Sequence, residues 1–491
     1  MRQALWIFRK DFTHMRPKVA LVWLLMAGAA VADSAVGRDP QLANMAVIKL
    51  PVVLAQWFLV ISVVHGDRLV GGRQFCVTRP YSWKSLLLAK GLFALLLFNL
   101  PVLLDRVVAL VVNGLSPLDY LSDLLGEQLL LAVGMLFVIA FAALTANLVQ
   151  VVVSILAAYL AVFTLSMSLA RTGLQLMPLR GSAMPIDDAI RWATVALFAG
   201  LACWRQFARR EHLRASCLLV AGWLAIFPFY SLIPWGVVFH VLERRSPPID
   251  HSIFRVEADA AREASGGLIQ GKADIVLPVS VTGIPDGMEA YSERIEIALR
   301  APDGAAWNSG WDPYNVLHGD NSSTSAVYRL VPGKGGPYWL FAHVDESFLG
   351  VHGSEPLHVH ATVAFTMLGR PQTKLVSRWG TPLAIAGNGV CEFSKFPSNV
   401  SGLCVTPLRK PALTVIRIQP LPSGSPNEAP ALDRDPGGNA NYGEFGIWRV
   451  WQQAWMTVPR GPFAMSVEVR QAVAHFEREL DMPGVRLKEY R

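Results

Sequence analysis

The chain has 491 residues, of which 52% are hydrophobic and only 16% charged, a balance too apolar for an ordinary soluble protein. Residues 1–246 hold 22 Lys and Arg against 12 Asp and Glu, and 247–491 hold 22 against 25, which leaves the formal net charge of +7. The cations of the first half gather at the ends of apolar runs, where the positive-inside rule puts them, so the basic balance argues for a lipid membrane and against nucleic acid as the partner.

In chain order, Leu5, Phe8, Phe12 and Met15 fall on one helical face with Arg9, Lys10 and Arg16 elsewhere, the pattern of an interfacial amphipathic helix over 1–18. The alternatives are a frayed start, or a cleaved signal peptide ending at Ala30-Val31-Ala32, against which the long basic region argues. Runs near the roughly 20 apolar residues that a hydrocarbon core demands follow at 19–37, 48–65, 86–104, 128–147, 149–170, 188–204 and 217–242. The expectation is an α-helical polytopic membrane domain over 19–245 with about seven transmembrane helices, six and eight being the neighbouring counts. Arg68, Arg73, Arg79 and Lys84 in the loop 66–85, and Arg205, Arg209, Arg210 and Arg214 in 205–214, should face the cytoplasm together with the N-terminus. Arg171, Arg180 and Arg191 then fall in an outer loop, which counts against this topology. An odd number of crossings leaves everything after Arg245 outside.

Two features interrupt the spans. Asp105-Arg106 splits an apolar stretch and is an intramembrane functional candidate, unless span three ends at Leu104 and 107–114 form a short re-entrant or interfacial turn, the reading preferred here. Pro228 and Pro234 should bend the last span.

Beyond the linker at 246–248 the text alternates as strands do. The segments 273–284, 291–299, 325–331, 338–344, 357–368 and 412–419 read as strands separated by turn clusters, and 469–480 reads as a helix. The expectation for 246–491 is one mostly β extracytoplasmic domain, an antiparallel β-sandwich. Cys391 and Cys404 lie in this region on either side of a Pro/Ser/Asn/Gly-rich loop, and an oxidising compartment makes a disulfide their natural state; two buried free thiols are the alternative.

Catalytic constellations are scarce. Gly266, Gly271 and Lys272 satisfy most of a phosphate-loop pattern, but Ala273 stands where Ser or Thr must hold magnesium, so a turn before a strand is the better account. His358 and His360 share a strand face on which imidazoles can share zinc, yet no third ligand is fixed by spacing, and solvated histidines are the favoured reading. Neither HExxH nor GxSxG occurs. No catalytic residue and no metal ligand is therefore assigned.

Between the second and third spans stand Asp67, Gly71-Gly72, Phe75, Thr78-Arg79-Pro80, Ser82 and Leu86-Leu87-Leu88-Ala89-Lys90, and the start reads FRKDFTHMRPKVALVWLL. Over about residues 1–170 this pattern resembles the permeases of ATP-binding-cassette (ABC) exporters of the ABC-2 class. The resemblance implies a transport permease that binds no cofactor itself, with ATP and magnesium on a separate ATPase subunit and a homo- or heterodimer of permeases in a bacterial inner membrane. It also implies that the 66–85 loop is a coupling helix on that ATPase, through Arg73, Phe75, Thr78, Arg79, Pro80, Tyr81, Trp83 and Lys84. Pro80 suits the first turn of a helix, and Phe75, Tyr81 and Trp83 offer apolar anchors among cations. Members commonly have six spans and no large outer domain, so the seventh span and the β region depart from the pattern. A polytopic anchor presenting a β-rich binding or adhesion domain is the alternative function.

Overall fold

The computed structural model describes residues 1–36, 50–67, 82–171, 184–232, 234–247, 254–269, 272–312, 315–319, 329–330, 338–385, 389–395, 399–406, 413–420, 432–434, 449–457 and 463–488. Helices occupy the first half: α1 (Arg2–Val36), α2 (Leu50–His65), α3 (Trp83–Ala94), α4 (Leu100–Val112), α5 (Leu121–Ala143), α6 (Leu148–Arg171), α7 (Met184–Trp204), α8 (His212–Leu232) and α9 (Trp235–Arg245). Among the described residues three stretches, Arg2–Ala32, Trp83–Val112 and Pro117–Ala143, are long and apolar enough to cross a membrane, and Pro51–His65 and Leu148–Ala157 are shorter apolar helices. Among the described residues, length and apolarity thus support three spans, and they do not by themselves support the expected seven.

A five-residue π-helical turn, Leu95–Asn99, joins α3 and α4 into one rod. Its cause is local. Pro101 has no N–H to return to the Leu97 carbonyl four residues back, and within lipid an orphaned carbonyl is costly. The Trp23 indole of α1 donates to that oxygen at 3.1 Å, so the irregularity also fixes how α1 lies against the rod. The helix then runs to Val112, which overturns the expected end at Leu104 and the re-entrant turn over 107–114. Arg106 can stay helical there because Glu127 of α5 takes its guanidinium in a two-pronged pair, Nε to Oε2 at 3.0 Å and Nη2 to Oε1 at 2.8 Å, with Asp105 at 3.1 Å from Nη1.

The last expected span also breaks. Instead of a bent helix over 217–242, α8 ends at Leu232 and Pro234 stands at the N-cap of α9 with extended ψ of 133°. Proline disfavours helical backbone before itself and offers no donor, so a separate helix starts after it. Trp235, Val238 and Phe239 of α9 are buried against Ala364 of the β region rather than facing lipid.

Strands β1 (Arg255–Ala258), β2 (Ser265–Ile269), β3 (Lys272–Thr282), β4 (Glu289–Arg300), β5 (Ala306–Asp312), β6 (Val316–Gly319), β7 (Arg329–Leu330) and β8 (Tyr338–Val344) are followed by α10 (Glu346–His352) and β9 (Leu357–Leu368). Then come β10 (Gln372–Leu375), β11 (Leu383–Ile385), β12 (Gly389–Lys395), β13 (Asn399–Thr406), β14 (Leu413–Pro420), β15 (Leu432–Arg434), β16 (Arg449–Thr457), β17 (Phe463–Arg470) and β18 (Ala472–Val485). One sheet runs β1-β3-β8-β6 with β2 beside β3, another β18-β9-β4-β5 with β7 beside β4, and the two share one apolar cluster that includes Ile275, Leu277, Leu340, Ile297, Val363 and Phe476. Two four-stranded sheets, β10-β17-β14-β15 and β11-β12-β13-β16, share a second cluster around Phe393, Val400 and Val467.

All described strand pairings in named sheets are antiparallel. Because β9 pairs with β18, the second pair of sheets is an insertion into the first, a division the sequence reading did not make. The chain leaves and returns side by side, with the Gln471 carbonyl accepting from the Gly369 N–H at 3.0 Å, and Arg470 pins the junction from the interior, pairing with buried Glu289 at 2.9 Å and donating to the Gly287 and Gly369 carbonyls.

The expected helix over 469–480 is strand instead: Val469 and Arg470 close β17, and the rest from Ala472 belongs to β18. Its apolar residues fit both periods, but Ala474, Phe476, Leu480 and Met482 alternate into the core once β18 lies along β9.

Candidate functional site

The 66–85 loop is the segment to which the sequence assigns function. Arg73, Phe75, Thr78, Arg79, Pro80 and Tyr81 lie outside the described residues. Its two ends are described, and both are tied to α1. On the near side Asp67, just past α2, is buried and pairs with the Lys90 ammonium of α3. That ammonium is 2% exposed and also donates to Asp11 Oδ2 at 2.7 Å and to the Val63 carbonyl at 2.9 Å. Lys10 completes the cluster at 3.3 Å from Asp11 and 3.4 Å from Asp67. On the far side the Ser82 N–H donates to Gln3 Oε1 at 3.4 Å, and Ser82 Oγ caps α3 by accepting from the Ser85 N–H at 3.1 Å.

An ammonium is buried at this depth only when paired and hydrogen-bonded, and two carboxylates need the same. Four charges from α1, from the end of α2 and from α3 therefore hold three chain segments in one arrangement. Trp83 is the first residue of α3 and packs partly buried against the helical core, while exposed Lys84 sets its ammonium 5.7 Å from the Trp83 ring centroid. The N-terminus of α3 thus lies beyond Pro80, with Ser82 as its cap. His65 at the end of α2 meets Thr145 of the α5–α6 turn at 3.1 Å, and Arg205 pairs with Glu211 at 2.9 Å between α7 and α8.

At the opposite end of the helices the Asp105–Arg106–Glu127 group ties α4 to α5. Beyond it Leu110, Leu115, Tyr120 and Leu124 form an apolar cluster with Val390 of β12 and Leu403 of β13, so the inserted sheets rest on the α4–α5 turn. Cys391 and Cys404, the cross-strand partners in those same strands, form a disulfide.

In the β region Gly266 to Ile269 belong to β2 and Lys272 opens β3, with Ile269 opposite Lys272 in an antiparallel hairpin. A phosphate loop needs a helix where β3 stands. A buried polar group lies beneath α9: the Tyr291 hydroxyl donates to Glu293 at 3.2 Å, Thr366 donates to the same carboxylate, and His475 Nδ1 is 2.8 Å from the Thr366 oxygen. Burial and the neighbouring Glu293 carboxylate push the Tyr291 phenol well above its ordinary range. The sequence reading passed over this group, over the pairing of Asp11 with Lys90 and over that of Glu127 with Arg106, since the partners are remote in sequence; Lys90 within an apolar run was the one local signal.

Comparison with protein-family models, with curated proteins and with solved structures finds no match. What the residues define by themselves is a membrane-associated helical protein with a large, mostly β C-terminal region built of antiparallel sheets.

Proposed function

We propose that this chain is the permease subunit of an ABC exporter of the ABC-2 class, driven by ATP hydrolysis on a separate subunit. In this reading seven helices, α1 to α8 with α3 and α4 counted as one, cross a bacterial inner membrane, the N-terminus is cytoplasmic, and the β region is a pair of sandwiches outside. Two permeases assemble around the transport path. The observation that carries it is the charge cluster of Lys10, Asp11, Asp67 and Lys90. A loop that transmits force from an ATPase needs held ends, and the residues on either side of 68–81 bond to α1, Asp67 through Lys10 and Ser82 through Gln3. An anchor that merely displayed a β region would need one helix and no such fixture.

The test is coexpression with an ABC ATPase subunit and copurification in detergent, alongside the stimulated hydrolysis rate. Because Trp83 packs on the helical core, its replacement would mix docking with stability. Tyr81→Ala combined with Arg73→Glu and Arg79→Glu is the cleaner variant, and a loss of about 2 kcal/mol in association is expected if Tyr81 is a hot spot. Unchanged recovery and unchanged stimulation by a properly inserted variant would remove the coupling role and leave the anchor reading.

A further inference from the structure

The outward face of the β18-β9-β4-β5 sheet is covered at one end by α9 and open at the other. In the open part the register sets Asp481, His360, Ala298 and Asn308 side by side across the four strands, with His358 opposite Arg300 one row on. Ala298 carries only a methyl group and so floors a hollow of about 410 Å³, which Trp307 lines together with the polar side chains around it.

The geometry points to a site on this face for Zn²⁺, or a first-row divalent ion of similar chemistry, with His358, His360 and Asp481 as its protein ligands. Strand alternation puts the two imidazoles on the same side, two residues apart. The adjacent strand supplies the third donor that spacing in the sequence could not: His358 Nε2 lies 2.7 Å and His360 Nδ1 3.6 Å from one and the same oxygen of Asp481. Two imidazoles and a carboxylate form a zinc donor set that leaves a coordination position open. All three side chains are about half exposed, so each is free to turn about its χ angles and close around an ion. Arg300, which would repel a bare cation, lines the hollow with Asn308. A cationic guanidinium in the same hollow suits an anionic ligand held there by the metal.

A different group, Asp303, His352 and Glu355, brings three donor atoms within 4.8 Å of one another, tighter than the strand set stands without an ion. It has a single imidazole, engaged at 3.2 Å by Glu355 three residues away, and Asp303 already accepts the Ala305 N–H at 2.9 Å. That set is accounted for by local turn and helix-end bonding, whereas the histidine pair meets its carboxylate across neighbouring strands, from a residue remote in sequence.

The inference does not depend on the transport reading. Its test is titration of the full-length protein in detergent, stripped with a chelator, with Zn²⁺ by calorimetry and with Co²⁺ by visible absorption. Saturable binding of one ion is expected. The double variant His358→Ala/His360→Ala and the single variant Asp481→Asn should each weaken it by at least about tenfold, the scale already seen on losing a supporting outer-shell group. His352→Ala should leave it unchanged. Metal-free melting temperatures equal to that of the parent chain would show that the variants fold, and His360→Ala alone gives a milder check. No saturable binding, binding indifferent to the histidine pair, or loss on His352→Ala would each overturn the site.

Discussion

Lys90 shows how one side chain can organise three segments. Its ammonium touches Asp11, Asp67 and the Val63 carbonyl, and apart from these it is enclosed by the helical core. Breaking a buried pair by removing one partner is far worse than replacing the whole set, because the carboxylates left behind keep their desolvation cost without their counterion. Lys90→Met should therefore destabilise the helical half by about 3–5 kcal/mol, with Lys10 alone left to face Asp11 and Asp67. Adding Asp11→Asn and Asp67→Asn to Lys90→Met should recover most of the loss. Thermal unfolding in detergent reads both, and equal melting temperatures for parent and Lys90→Met would show that the cluster carries no stability. The carbonyl of Leu97 tells the same story in neutral groups: Pro101 cannot donate to it and the Trp23 indole does.

At the scale of elements, α9 and β18 depart most from what the sequence suggested, and they depart together. His475 of β18 packs edge-on to Phe239 of α9 at 6.0 Å between ring centroids, and its N–H donates to Ser246 Oγ at 2.9 Å. Burial holds the His475 imidazole below its ordinary 6.5, an effect that Glu293 only partly offsets. The unfolded chain then takes up the proton first as pH falls. This contribution to stability is intact above pH 6.5 and is lost as pH drops from there toward the depressed folded value. The slope for one proton cannot exceed about 1.4 kcal/mol per pH unit. Melting the full chain between pH 5 and 7.5, in the manner of a linkage experiment, should show this fall, and His475→Gln should flatten it relative to the parent. An unchanged slope in the variant would assign the dependence to other groups. The same two elements mark where sequence reading stopped. Alternation over 338–344 and 357–368 named β8 and β9 to the residue, because one buried face enforces period two. Over 469–480 the apolar spacing fits either period, and only the β9 partner decides between them. Pro234 was visible as a disturbance, but whether it bends or ends a helix depends on the sheet that α9 finds to cover.

For the whole molecule, the two ends of the helical region carry different chemistry, and that difference was half legible. The basic loops and the Cys391–Cys404 pair could be read from composition and compartment. The ion cluster around Lys90 and the seat of the inserted sheets on the α4–α5 turn could not, since both join residues dozens to hundreds of positions apart. That seat constrains topology. Leu115 and Tyr120 share a cluster with Val390 and Leu403, so the α4–α5 turn and the inserted sheets must lie on one side of any membrane the helices cross. Ser82 and Gln3 sit together at the other end of the α3–α4 rod. A rod of 30 residues spans about 45 Å at 1.5 Å per residue, enough to separate the two ends by a full bilayer. With Cys76, Cys203 and Cys217 replaced by Ser and the disulfide kept, single cysteines at exposed Leu118, Lys395 and Lys84 should then divide under a membrane-impermeant maleimide applied to intact cells. Leu118→Cys and Lys395→Cys should label, and Lys84→Cys only after lysis. The reverse pattern would invert the orientation read from Lys and Arg while keeping the fold. Labelling of Leu118→Cys and Lys395→Cys from opposite sides would separate the inserted sheets from the α4–α5 turn, and the contact between them would have to be given up.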